Sequence, residues 1–245
     1  MSSFLWQPID IAKLAQKAEN KFVGVNCGIM DQMAVACCQK NHALFIDCKT
    51  LETKQIPIPS EFVLIIMDTS TRRTLVDSQY NERRNSCEEA ARYLSLPSLR
   101  YLQNEDLKKL ELHANPLILK RARHVMTENE RVLKAIQALK ENKIKILGQL
   151  MNESHQSLDQ DYEVTNSALN AMVECAQETR GCLGARMTGA GFGGCTIALV
   201  EKEKADEFIL AVEKNYFKKT NLKGKFYKTK AMEGTDVLRP FQNSK

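Results

Sequence analysis

Apolar residues recur at three- and four-residue steps through Ile11, Leu14, Ala15, Ala18 and Phe22, which predicts an opening amphipathic helix. Asp10 is placed as its cap, and Pro8 keeps it from starting earlier. The tract Val23-Gly24-Val25-Asn26-Cys27-Gly28 breaks the period with two glycines, marking a turn where backbone bends or comes close to a neighbour. A second helix is predicted from Ile29 to about Cys38, with Asp31 in its first turn. Strand character follows at His42–Cys48, at Lys54–Ile58 and in the continuous apolar run Glu61–Asp68. Pro57 and Pro59 put a domain seam near residue 60.

The middle of the chain reads as helical. A helix capped by Asp77 or Ser78 runs through Tyr80, Cys87, Ala91 and Leu94 and is stopped by Pro97. Further helices are predicted at Asn104–Leu112, Leu117–Lys140, Ile144–Leu158 and Glu163–Thr179. Strands return at Gly184–Thr188 and Cys195–Glu201, then a helix at Lys204–Phe217 and a last strand near Lys225–Lys230. That succession is an α+β pattern.

Composition narrows the class. Hydrophobic residues make up 43% of the 245, enough for one large core or two smaller ones. Lys and Arg exceed Asp and Glu by only 5 and are interleaved with them, so no nucleic-acid surface is required. Apolar runs such as Phe62–Met67 are far shorter than the roughly 20 residues of a membrane span. The first residues lack the basic and apolar regions of a signal peptide. The 8 cysteines include no Cys-x-x-Cys pair and read as reduced thiols of a cytoplasmic protein. His42, His113, His124 and His155 are too scattered for a zinc site.

Several positions carry chemistry, each with a plainer alternative. Gly189-Ala190-Gly191-Phe192-Gly193-Gly194 could turn backbone N–H groups toward an anion, or could be a tight, closely packed hairpin. Asp31 is either a first-turn acid or a base for a hydroxyl. Glu19 by itself is a solvated helix position, and Tyr80 is either a half-buried tyrosine or a sugar-binding hydroxyl. Arg83 and Arg84 read as surface or ion-pair residues, and His155 as structural.

Four tracts stand out when taken together. They are Ala18-Glu19-Asn20-Lys21-Phe22-Val23-Gly24-Val25-Asn26-Cys27-Gly28-Ile29-Met30-Asp31-Gln32-Met33; Tyr80-Asn81-Glu82-Arg83-Arg84 with Cys87-Glu88-Glu89-Ala90; Glu153-Ser154-His155 through Asp161-Tyr162-Glu163-Val164; and Arg186-Met187-Thr188 running through the glycines to Cys195. Together they resemble the galactokinases of the GHMP sugar and metabolite kinases, in whose order and at whose spacing they stand, from about residue 10 onward. The resemblance implies phosphoryl transfer from ATP to the anomeric hydroxyl of galactose, with Mg²⁺ as cofactor. It makes Asp31 the catalytic carboxylate, Glu19 the magnesium ligand, and Tyr80 and Gly28 sugar contacts. Gly189, Gly191, Gly193 and Gly194 then belong to a loop packed beside the phosphates. It also implies an α+β GHMP-kinase fold, with residues 1–60 a part of the N-terminal catalytic domain. Residues 61–245 would form a helix-rich C-terminal domain with a ferredoxin-like sheet.

Two tracts of that family do not occur in these residues. One is a Gly-Glu-His-Thr-Asp-Tyr-type sugar motif. The other is a Gly-Leu-Ser-Ser-Ser-type phosphate loop at a helix N-terminus. These residues alone are therefore expected to be inactive. Three readings stay open: a shortened galactokinase, a non-catalytic galactose-sensing homologue, or one chain of a split kinase whose second chain carries the absent segment.

Overall fold

The computed structural model describes residues 7–24, 27–71, 76–112 and 115–236. Their contacts divide into two compact units: the described residues within Met1–Pro59 and Lys230–Lys245, and those within Ser60–Thr229.

In the first unit, helix α1 (Pro8–Ala18) runs into a single π-helical turn at Glu19–Val23, ended by Gly24 at φ 84°. Helix α2 (Met30–Cys37) and the antiparallel hairpin β1 (His42–Ile46) and β2 (Thr53–Pro57) complete it. As expected, the helix starts no earlier than Pro8, which opens it, since a first-turn proline has no N–H to lose. Gln7 stands at the cap, and Asp10 lies inside the first turn. The expected apolar face of α1 is not the buried one. Leu14 is 61% and Phe22 93% exposed, while Ala12 is 1% exposed and packs with Ile29, Met33 and Ala36. Residues 231–235 return along this unit, where the N–H of Gly234 donates to Cys38 and that of Thr235 to Val35.

The second unit is built on an antiparallel sheet of order β4–β5–β3–β6, from β3 (Phe62–Asp68), β4 (Cys182–Met187), β5 (Cys195–Glu201) and β6 (Lys225–Thr229). Ile65, Met67, Ala198 and Val200 of the sheet share a core with Met172 and Val173 of α7 (Ser167–Gln177) and Phe208 and Tyr216 of α8 (Ala205–Thr220). A second core joins α3 (Val76–Tyr93), α4 (Asn104–Leu110) and α5 (Pro116–Lys140) through Ala90, Leu99, Leu110, Ile118 and Ala122. Helix α6 (Ile144–Gln160) crosses β4 at touching distance. A Cβ on Gly148 would sit 2.1 Å from the Leu183 oxygen, so only glycine fits there.

Several boundaries differ from the sequence expectation, among them three in the second unit. α3 already includes Val76, which puts Asp77 and Ser78 inside the helix rather than at its cap. α7 starts at Ser167 instead of Glu163, because Glu163 has φ 53° and cannot continue a right-handed helix; Asn166 caps it, its Oδ1 accepting from the Leu169 N–H. β4 starts at Cys182. No disulfide joins the cysteines, and burial pushes the Cys182 thiol up to about 11.

Candidate active site

The residues singled out by sequence fall into two groups, one in each unit. In the first unit, Glu19 opens the π-turn, in which the Gly24 N–H reaches the Glu19 carbonyl at 2.9 Å. Such widened turns are frequent at functional sites. Glu19 is exposed. Its Oε2 accepts a hydrogen bond from the Cys27 thiol at 3.0 Å, and the Asn20 Oδ1 accepts from the Cys27 N–H at 3.1 Å. Gln16 donates to the Cys27 carbonyl at 3.2 Å, and the Gln32 amide points at the Cys27 sulfur at 3.8 Å. The carboxylate of Glu19, as hydrogen-bond acceptor, holds the thiol proton more tightly and raises the pKa of Cys27. Cys27 thus gathers Glu19, Asn20 and Gln32 around the loop that leads to Gly28 and Asp31.

Asp31 is exposed in the first turn of α2, where the helix dipole favours its charge. Among the described residues nothing lies within 4 Å of where a Cβ on Gly28 would be. Among the described residues no three His, Cys, Asp or Glu side chains converge. A single exposed carboxylate such as Glu19 suits Mg²⁺, which keeps most of its shell as water and phosphate oxygens.

In the second unit, Tyr80 is 40% exposed on α3. One turn later Arg83 is buried. Its Nε donates to the Tyr162 carbonyl at 2.7 Å and its Nη2 to the Glu163 carbonyl at 2.8 Å. The expected surface pair is seen for Arg84, which meets Glu88 one turn on; Arg83 also has an ion pair, with Glu82 at 3.2 Å, but is buried rather than on the surface. Beside the turn at 161–164, Arg121 is buried and meets Glu163 at 2.7 Å.

The glycine loop joins β4 to β5. Gly189, Gly191 and Gly194 have φ between 77° and 84°, Gly193 has 139°, and Phe192 itself has 60°. The Phe192 N–H donates to Val164 at 2.7 Å, and a Cβ on Gly191 would lie 2.1 Å from that same Val164 oxygen. At its far end the Gly194 carbonyl accepts from the N–H and the hydroxyl of Thr69. The N–H groups of Gly189, Ala190, Gly191 and Gly193 have no backbone partner among the described residues. Close packing therefore accounts for Gly191.

Two histidines sit behind this loop. His155 accepts from the Met187 N–H at 3.2 Å, and burial lowers its pKa. His124 is stacked on Tyr162 with ring centroids 4.5 Å apart and meets the Ser157 hydroxyl at 2.9 Å. Burial, ahead of the partly compensating pull of Glu128, takes its pKa down to about 4. Sequence reasoning did not anticipate Cys27, Arg121, His124 or Glu128. Of these only Cys27 stood within a tract already singled out.

Residues 135–219 match the family described as GHMP kinases C terminal. Over 94% of its length the chain is 46% identical to a galactokinase of Haemophilus influenzae and, over the same share, to one of Enterococcus faecalis. A galactokinase of Lactococcus lactis, solved with galactose, superposes with a TM-score of 0.90 at 37% identity over 95% of this chain. A mevalonate kinase of L. major shares the fold alone, with a TM-score of 0.60 at 16% identity. The chain has the fold of the GHMP kinases, and residues 135–219 carry their C-terminal sequence pattern. Within them its likeness is to galactokinases, of which it spans 61–62% of the length. Among the described residues no helix is long and apolar enough to cross a membrane.

Proposed function

We propose that this chain serves an ATP-dependent sugar kinase that converts galactose to galactose 1-phosphate. The observation that carries the proposal is the likeness to galactokinases along nearly the whole chain, at 46% and 37% identity. In this proposal Asp31 takes the proton of the anomeric hydroxyl as its oxygen attacks the γ-phosphorus and the bond to the ADP oxygen breaks. Tyr80 and the backbone at Gly28 hold the sugar. The N–H groups of the 189–194 loop face the phosphates, and Glu19 holds Mg²⁺. The cation supplies neutralisation of phosphate charge. Phosphoryl transfer asks for positioning and charge neutralisation more than for covalent help, and this residue set matches that demand. An ATP-dependent enzyme whose cysteines form no disulfide fits the cytoplasm.

The test is coupled ADP release with galactose, mevalonate or homoserine. It is run on these 245 residues and on the same residues joined to the N-terminal remainder of the Haemophilus influenzae relative. The expected result is galactose-dependent turnover in the joined protein and near-background turnover without the phosphate loop, whose positioning contributes about 7–11 kcal/mol to lowering the barrier. Equal turnover of all three substrates, or none with galactose in the joined protein, would refute it.

A further inference from the structure

Tyr80 and Arg83 stand three residues apart on α3 and so share one stretch of its surface. Arg83 is buried, at 9% exposure. It spends two donors on consecutive carbonyls, those of Tyr162 and Glu163, and a third on Glu82 at 3.2 Å. Its face lies 5.7 Å from the centroid of the Phe192 ring. The two carbonyls belong to a turn that is itself unfavourable, since Glu163 has φ 53°. Arg121 grips the same turn from α5 through the Asp161 carbonyl and the Glu163 carboxylate. The turn in turn grips the glycine loop: Val164 accepts from Phe192 and is packed against Gly191. Burial and the adjacent charge of Arg121 both pull the Arg83 pKa down, so keeping this cation here is costly. Arg84, its neighbour, makes only a half-exposed pair with Glu88.

We propose that Arg83 is a positioning residue for both substrates: it fixes the 162–163 turn and the Phe192 ring, and so ties the helix that carries Tyr80 to the glycine loop. The proposal deepens the function argued above and rests on its assignment of Tyr80 to the sugar and the loop to the phosphates. Only arginine suits the task. Its planar fork reaches two carbonyls at once and its face covers a ring, whereas lysine would reach one carbonyl from a single point.

Hydrogen–deuterium exchange of the full chain, read by mass spectrometry, tests this with Arg83→Lys, Arg83→Gln, Phe192→Leu and the control Arg84→Gln. In Arg83→Lys the segments 162–166 and 189–195 are expected to exchange about tenfold faster, with β3 and β5 as protected as before. Arg84→Gln is expected to match the wild type. If Arg83→Gln does not fold, Phe192→Leu reads the same link from the other end, through faster exchange at 79–84. Unchanged exchange at 189–195 in Arg83→Lys, or a uniform rise across β3 and β5, would overturn the proposal. Inorganic tripolyphosphate probes the phosphate site. It is expected to slow exchange at 189–195 in the wild type and to require several-fold higher concentration in Arg83→Lys. No protection in the wild type would sink the phosphate role itself, whereas the ligand-free pattern speaks to the clamp alone.

Discussion

The thiol of Cys27 donates to the Glu19 carboxylate at 3.0 Å, and this one contact joins a π-turn at the end of α1 to the loop that precedes Asp31. The neighbouring bond from the Cys27 N–H to Asn20 makes the junction two-stranded. A carboxylate held from behind by a donor keeps one oxygen oriented for a cation.

Glu19→Gln in the joined kinase is expected to raise the Mg²⁺ concentration for half-maximal turnover by about tenfold or more while leaving galactose affinity nearly unchanged. Cys27→Ala should shift the Mg²⁺ requirement in the same direction by less. Cys27→Ser keeps a donor and should restore it. A Mg²⁺ titration of initial rates checks all three, and an unchanged requirement in Glu19→Gln would return that residue to an ordinary exposed helix position.

Two glycines are expected to respond oppositely to alanine. At Gly28 no described residue crowds a Cβ, so Gly28→Ala should fold as the wild type and lose galactose affinity. At Gly191 the new Cβ would meet the Val164 oxygen at 2.1 Å and φ is 84°, so Gly191→Ala should lose stability by about 1–3 kcal/mol. Urea unfolding of each, with galactose affinity measured beside it, separates a ligand-facing glycine from a packing one.

Much of the fold was legible because it rests on local pattern. The run Glu61–Asp68 became β3 at the centre of the sheet, and Pro97, Asn142 and the glycines marked real ends. The first helix misled because its apolar stripe through Leu14 and Phe22 is exposed among the described residues. Periodicity reports a stripe, not what covers it. Glu163 misled because a left-handed residue held by Arg83 and Arg121 leaves no local signature. Asp31, Glu19 and Tyr80 were legible only through tracts resembling a family, since a lone exposed acid or tyrosine is common. The polar pairs His124–Ser157 and Glu128–Ser154 are assembled across α5 and α6, and no local spacing encodes them.

Acid should weaken the second unit before carboxylates titrate. His124 has its pKa lowered to about 4 in the folded chain against 6.5 when unfolded. Between those values the unfolded state binds more protons, so stability rises with pH across the window and is lost as pH falls below about 6.5. From pH 7 to 5 the loss from this group is about 2 kcal/mol. His155, also lowered by burial, adds to it in the same direction. Urea midpoints at pH 7 and 5 should show the drop, and His124→Gln should flatten it; an equal drop in that variant would show that other groups carry the dependence.

The most direct measurement is single-turnover phosphoryl transfer to galactose in the joined kinase, comparing the wild type with Asp31→Asn. The substitution keeps the shape of an exposed first-turn side chain and removes its ability to take a proton. The chemical step is expected to slow by about 10²–10⁴-fold, with galactose affinity retained. A chemical step in Asp31→Asn within a few-fold of the wild type would contradict the assignment of Asp31 as the base, and with it the proposed catalytic site.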